Sequence, residues 1–486
     1  MSIEKIVDLI HAGTLADWRE RNEEAFEDLF RSGSGRYPAK ARLDFQLRAP
    51  EQKGEDAAHY SAYIHKNNST SGQYGGTSFF IAPVEGVPAV FGFVIGTGGL
   101  DPDHTILGRP GHARKCAAIC DWLNRTFGQG ARIAWAKQDP TRTDIPLPSD
   151  LITELSTHQA MVDKYKNVMY VVVRPTADRA ATTAAVAALL DLLLEERGYQ
   201  PLKAHQNSYK RVQQQWLASL TPATSPAEIA TLLTTRRYVV LEGPPGTGKT
   251  RLAEELLRTT YSGHGKTIQF HPNTTYETFI GGLAPSAADA GLRFLPAPGH
   301  LIQAAAQALA NPTKPYLLHI DEINRADLGK VLGEAVLLLE PGANRTVELP
   351  YDFGAPFHRQ LTLPPNLHIL GTMNSADRSI AILDVAVRRR FAFVPVWPSA
   401  AVVADHGGPL MQEAFNKLFL HFVEHATDDA FALMPGHSYF LIADDQQARL
   451  HLKTNLAPLL GEYLAQGYVS GFAEQIRSYL QWLRAL

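Results

Sequence analysis

The sequence predicts an α/β protein: a doubly wound parallel sheet with a C-terminal helical lid, preceded by a mixed α/β domain. Three observations predict the sheet. The run Gly243-Pro244-Pro245-Gly246-Thr247-Gly248-Lys249-Thr250 follows the apolar stretch Tyr238-Val239-Val240-Leu241 and opens a segment with helical apolar spacing at Leu252, Leu256 and Leu257. A second apolar run, Tyr316 to Ile320, ends in Asp321-Glu322. A third, Leu367 to Met373, ends in Asn374. Apolar runs of this length alternating with helical patterns are the signature of strands buried on both faces of a parallel sheet.

The glycine-rich run has the strand–loop–helix context that a phosphate-binding loop requires. Its glycines let backbone N–H groups close around an anion, and the following helix presents its positive N-terminal end. In that reading Lys249 reaches the β- and γ-phosphates and the Thr250 hydroxyl ligates Mg²⁺. Doubly wound sheets bind ligands at the carboxyl ends of their strands, where Asp321 and Glu322 sit. Asp321 is expected to hold the metal through its water shell, and Glu322 to orient and polarise an attacking water. Asn374, on a strand beside the acidic one, has the amide to hydrogen-bond both water and γ-phosphate. His319, inside the acidic strand, reads as a packed core histidine.

Downstream, Ser375-Ala376-Asp377-Arg378-Ser379 precedes a helix closing on Arg388-Arg389-Arg390-Phe391. Adjacent helical residues point about 100° apart, so the three arginines cannot share one role. One is expected to face a neighbouring subunit's phosphates, where a planar, permanently charged donor fork is wanted.

Bulk properties frame the rest. At 486 residues the chain is long enough for several domains, and 45% hydrophobic with 20% charged residues is ordinary globular composition. A net charge of −3 advertises no global affinity for nucleic acid, so any such site must be local. No apolar run approaches the roughly 18 residues that span a bilayer, and the N-terminus lacks a basic region followed by an apolar one. Cys116 and Cys120 are the only cysteines and lack partners at zinc-ligand spacing, so they read as free thiols. A cytoplasmic protein without a membrane segment is the expectation.

Residues 1–205 read as the mixed α/β domain. It opens with two helical segments, the second with an apparent capping box at Thr14-Leu15-Ala16-Asp17. Strands follow at Thr77–Ile81, Ala89–Ile95 and Val168–Val173, with a helix around Ala113–Asn124 and a long Ala/Leu helix from about Asp178 to Arg197. Residues 206–226 read as a polar connecting helix and a Pro/Thr/Ser linker. Residues 227–398 hold the doubly wound sheet, and 399–486 the helical lid.

Taken together, the glycine-rich loop, FHPNTTYETFIGGLAP (Phe270 to Pro285), IDEINRADLGKVLGEAVLLLEP (Ile320 to Pro341) and GTMNSADRSIAILDVAVRRRFAF (Gly371 to Phe393) resemble the McrB branch of AAA+ proteins. MNSADR is similar to the family's MNTADR signature, with Ser375 keeping the hydroxyl. PGHSYF (Pro435 to Phe440) and Leu456–Tyr463 look like the family's lid. The resemblance covers the C-terminal half. It implies an AAA+ fold and the NTPase motor of McrBC-type, modification-dependent restriction. Position by position it places phosphate and metal contacts at Lys249 and Thr250, and the Walker B pair at Asp321 and Glu322. It puts the sensor asparagine at Asn374 and, near the subunit interface, the signature's Asp-Arg at Asp377 and Arg378. Arg388 or Arg389 takes the place of the trans arginine. Arg345–Thr362 becomes a β-hairpin insertion. It further implies a homo-oligomeric, hexameric ring with sites shared between neighbours. ATP is favoured by class frequency and GTP by family habit.

In that family the N-terminal domain recognises the target, often modified DNA. Here the candidate surface runs from Gly96 to His104 and on through Arg109, His112, Arg114 and Lys115, with Tyr74, Phe91, Phe93, Trp122 and Trp135 as stacking groups. The alternative is an ordinary loop with those aromatics in the core. No separated Asp and Glu-x-Lys stands in a strand context, so nucleotide hydrolysis without DNA cleavage is expected. The resemblance implies that cutting falls to a separate McrC-like nuclease subunit. Alternatives are a MoxR-like protein-remodelling ATPase and a nucleotide-gated scaffold.

Overall fold

The computed structural model describes residues 3–50, 58–69, 71–288, 291–340, 345–375 and 385–486. They form two compact units: Met1–Thr221 with Val423–Thr427, and Pro222–Phe422 with Asp428–Leu486. Among the described residues no helix is long and apolar enough to cross a membrane.

The first unit is a six-stranded sheet of β1 (Phe45–Arg48), β2 (Ser61–His65), β3 (Thr77–Val84), β4 (Val87–Ile95), β5 (Ala134–Ala136) and β6 (Met169–Val173). The order is β1-β2-β3-β4-β6-β5, and every pairing is antiparallel. Period-two alternation gives the sheet two buried faces. Phe79, Ile81, Phe91 and Phe93 join one core with residues of the helices Glu4–His11, Trp18–Phe30, Pro110–Phe127 and Arg179–Glu195. Phe80, Ala82, Val90 and Val94 join the other, under the short helices Ser149–Glu154 and Gln159–Tyr165. The long Ala/Leu helix forms as the sequence predicts, with Asp178 capping it through Ala180 N at 2.9 Å. Its buried Asp191 is neutralised by Arg36, whose Nε donates at 2.8 Å, and accepts a hydrogen bond from Tyr37 OH at 2.7 Å.

Two local readings differ from the structure. Thr14 does not close a capping box. Asp17 occupies the N-cap at φ +51° without a side-chain cap, while Thr14 Oγ1 accepts from Ala16 N in a local turn. The helix Gln206–Leu217 is no bare connector, because Trp216 joins the first unit's core and the unit boundary falls at Thr221.

The second unit holds β7 (Tyr238–Gly243), β8 (Gly265–Gln269), β9 (Gly281–Ala288), β10 (Gly291–Pro298), β11 (Tyr316–Asp321), β12 (Thr346–Glu348), β13 (Gln360–Thr362), β14 (Leu367–Asn374) and β15 (Ala392–Pro395). Five of these make a wholly parallel sheet in the order β15-β7-β14-β11-β8. On β7, Tyr238 and Val240 join one core while Val239 and Leu241 join another, the double burial expected of a central parallel strand. β12 and β13 pair antiparallel within the expected insertion. A second hairpin, β9–β10, was not anticipated: its Pro and Gly content obscures the strand pattern. After β15 the chain is helical, including Ala400–His406, Pro409–His425, Ala457–Ala465 and Ala473–Ala485.

Candidate nucleotide site

The parallel order makes β14 the neighbour of both β7 and β11, so the three motif-bearing strands end side by side. Asn374 is in register with Gly243, and Ser375 N donates to Gly243 O at 3.0 Å. Gly246 (φ +83°) and Gly248 (φ +80°) take left-handed backbone that other residues adopt only with strain. The loop then feeds straight into the helix Lys249–Thr259.

Lys249 is buried, and its Nζ donates to Gly243 O at 3.0 Å, Pro244 O at 2.9 Å and Asn374 Oδ1 at 2.8 Å. Burial pushes its pKa down to about 8, against the opposing pull of Glu322 and Asp321. The amide of Asn374 turns its other end to Glu322, with Nδ2 donating to Oε1 at 2.6 Å. One side chain therefore ties the ammonium to the carboxylate. The second carboxylate oxygen, Glu322 Oε2, is buried and accepts no hydrogen bond among the described residues, its ion-pair partner Arg325 Nε standing 3.5 Å away. Glu322 also stands at φ +54°, a left-handed position that costs a side-chain-bearing residue roughly 1–2 kcal/mol.

Thr250 Oγ1 donates to Asp321 Oδ1 at 3.0 Å, and Thr372 Oγ1 donates to the same oxygen. Mg²⁺ takes one or two protein oxygens and completes its shell with water and phosphate. The hydroxyl of Thr250 and the carboxylate of Asp321 converge as that coordination needs. His319 is fully buried against Thr267 Oγ1, with its pKa lowered to about 4 by burial, and is a core residue.

The three arginines separate cleanly. Arg390 is buried and bonds Glu340 at 2.9 Å, a structural role. Arg388 lies 4.6 Å over the Phe393 ring and 3.6 Å from Glu242. Arg389 is the most exposed of the three and, among the described residues, pairs at 3.6 Å with the Glu340 oxygen that Arg390 already holds. Asp377 and Arg378 lie outside the described residues.

Sequence reasoning missed a seam between lid and loop. Gly436 N donates to Pro245 O and Ser438 N to Gly246 O, both at 3.0 Å. A Cβ on Gly246 would stand 2.3 Å from Ser438 Oγ, and one on Gly436 would stand 2.0 Å from the Gly246 carbonyl carbon. His437 Nδ1 accepts from Ser399 N at 3.3 Å, which places the imidazole proton on Nε2, the atom turned toward Gly248. Burial, with Arg251 and His406 nearby, lowers its pKa to about 4. The Pro435–Phe440 motif carried this signal in its glycine, but its target could not be read from one segment.

Comparison with known proteins agrees with the geometry. Residues 238–391 match the AAA domain (dynein-related subfamily). The Type IV methyl-directed restriction enzyme EcoKMcrB subunit of Escherichia coli (strain K12) is 34% identical over 267 residues, covering 50% of this chain and 57% of that protein. The C-terminal half is thus similar to the McrB subunit and contains a match to the AAA domain. The Type II restriction enzyme BsuMI component YdiS of Bacillus subtilis (strain 168) is 29% identical over 192 residues, covering 32% of this chain and 56% of its own. The chain thus spans a little over half the length of these relatives. Among solved structures, NtrX from Brucella abortus in complex with ATP overlaps 63% of this chain and 81% of its own, at 11% identity and a TM-score of 0.25.

In the first unit the candidate DNA surface is partly dismantled. Phe91, Phe93 and Trp122 are core residues. His112 Nδ1 and Lys115 Nζ both bond the buried Glu196 at 2.7 Å, so neither is displayed. The glycines serve packing: a Cβ on Gly96 would stand 2.0 Å from Tyr74 O, and Gly98 N donates to that carbonyl at 2.7 Å.

Proposed function

We propose that this chain is a nucleoside-triphosphatase, hydrolysing ATP or GTP as the ring-forming motor of a McrBC-like restriction system. The observation that carries it is the continuous bonded path Lys249–Asn374–Glu322, set beside the converging oxygens of Thr250 and Asp321. Lys249 supplies counter-charge to the β- and γ-phosphates, with the loop amides wrapped around them. Thr250 and Asp321 would hold Mg²⁺, which when bound would neutralise charge on the phosphate oxygens. Glu322 Oε2, buried and without a hydrogen bond among the described residues, is the acceptor for the proton of an attacking water. Asn374 orients that carboxylate and the water it polarises.

A cation on the far side of the γ-phosphate comes from Arg389 of a second copy. Arg390 is buried, both Arg388 and Arg389 have a carboxylate at 3.6 Å, and Arg388 also covers the Phe393 ring, which favours the more exposed Arg389. A homo-oligomeric ring, hexameric by analogy with this branch of AAA+ proteins, follows from sharing of that kind. The N-terminal unit recognises DNA, and a separate McrC-like subunit cuts it. The test is phage restriction beside the partner subunit with Glu322→Gln. Bound nucleotide retained with restriction abolished supports a motor; restriction retained overturns it.

A further inference from the structure

Among the described residues, β8 is an outer strand of the parallel sheet, paired on one side only, with β11. Leu317 N donates to His264 O at 3.0 Å, and Phe270 N to Asp321 O at 2.9 Å. Backbone groups alternate in direction along a strand, so those of Gly265, Thr267 and Gln269 point away from β11. Edges of this kind recruit foreign strands unless charges, prolines or bulges guard them. β8 has a single charge, and that charge is turned aside. Lys266 Nζ donates to His300 Nδ1 at 3.0 Å and to Gln303 Oε1 at 3.2 Å, both on the helix His300–Ala310. Thr267 and Gln269, which remain, are exposed and uncharged.

At the start of this edge opens a cavity of about 550 Å³, within the roughly 300–1,000 Å³ of ligand sites. Ile302, Tyr316, Phe353 and Phe357 give it apolar walls, and Gly265 and Lys266 of β8 border it. Its loop wall is built before any partner arrives. Phe353 N donates to His358 O at 3.0 Å, His358 N to Gly354 O at 2.7 Å, and Gly354 N to Asp352 Oδ1 at 2.8 Å. A Cβ on Gly281 would stand 2.6 Å from the Phe353 ring, so the glycine is what lets that ring lie there. No carboxylate is among the described residues that line the cavity. Both bonded partners of Lys266 are uncharged, since burial and the lysine itself lower the His300 pKa from 6.5.

A small molecule would fill the cavity and leave the strand edge idle. An extended polypeptide uses both, because its main chain pairs with the edge while alternate side chains drop to one face. A wholly apolar chain would strip water from Lys266 without return, and a basic one would be repelled. We propose that a partner protein adds an extended segment to the outer edge of β8, with an aromatic or large aliphatic side chain in the cavity and a carboxylate against Lys266. Main-chain bonds along the edge give such a contact its affinity; the cavity and the ammonium give it a preferred sequence. None of Lys249, Thr250, Asp321, Glu322 and Asn374 lines the cavity or lies on β8, so the contact is independent of the nucleotide reading.

The experiment selects binders of the full-length chain from a displayed library of random ten-residue peptides, then titrates labelled copies of those enriched. They should share an aromatic or large aliphatic residue close to Asp or Glu. Lys266→Glu should weaken them about tenfold or more. Thr267→Pro should do the same by removing an outward N–H without touching the ladder to β11, while Thr267→Val stays within about twofold. In the unaltered chain, adding peptide should slow hydrogen exchange at β8, a reading that needs no variant. A library that yields no peptide sensitive to both Lys266→Glu and Thr267→Pro overturns the proposal, as does binding that leaves exchange at β8 unchanged. Loss of self-association in Thr267→Pro would overturn it too, by assigning the edge to a second copy of this chain.

Discussion

Lys249 and Glu322 are joined by one asparagine, and their substitutions should fail in different ways. Lys249→Ala removes the buried counter-charge and should weaken nucleotide binding between about tenfold and a hundredfold, as read by equilibrium titration. Glu322→Gln keeps the loop intact and should leave affinity unchanged while turnover falls by about 10²- to 10⁴-fold. An equal loss of binding in both variants would contradict the division of labour between them. These residues were legible in the sequence because each sits at a strand end inside a short contiguous motif. Arg390 was not distinguishable from Arg388 and Arg389: which of three neighbours turns inward onto Glu340 depends on packing that no local pattern encodes.

Among the elements, the seam between lid and phosphate loop makes its own demand. Gly246→Ala places a Cβ against Ser438 at a left-handed position, which costs about 1–2 kcal/mol in backbone strain before the clash is counted. The variant should bind nucleotide more weakly, and adding Ser438→Gly should restore part of the affinity by removing the clash but not the strain. No recovery in the double variant would show that the lid contact is idle. In the first unit the helix Pro110–Phe127 carries a second test. Burial alone would lower the pKa of His112, but Glu196 beside it raises it to about 10, from an ordinary 6.5. Burial alone would raise that of Glu196, but His112 and Lys115 hold it at about 2, from 4.5. The raised histidine stabilises the fold fully below pH 6.5, and that contribution is lost as pH climbs toward 10. The depressed carboxylate does so above pH 4.5, and its contribution is lost as pH falls toward 2. Opening free energies from hydrogen exchange in this helix should therefore decline from pH 6.5 upward, and Glu196→Gln should flatten that decline. An unchanged slope would contradict the pairing. The helix was foreseen from its apolar spacing; its buried charges were read as surface because Glu196, their partner, lies on a different stretch of chain.

For the whole molecule, the doubly wound sheet and the helical segment after it follow from apolar runs and glycine-rich punctuation, and the structure places them as read. The antiparallel pairing of the N-terminal sheet did not follow, since strand order depends on contacts between distant segments rather than on any one of them. The proposed ring is a statement at this scale. Arg389→Ala alone should bind nucleotide normally and turn it over slowly, and the same holds for a wild-type chain diluted until it no longer self-associates. The most direct measurement mixes two inactive proteins, Lys249→Ala and Arg389→Ala, and follows phosphate release. If triphosphate is split between copies, the intact loop of the Arg389 variant meets the intact guanidinium of the Lys249 variant, and a fraction of activity returns. A mixture as inactive as its parts, or an Arg389 variant as fast as wild type, would contradict the shared site.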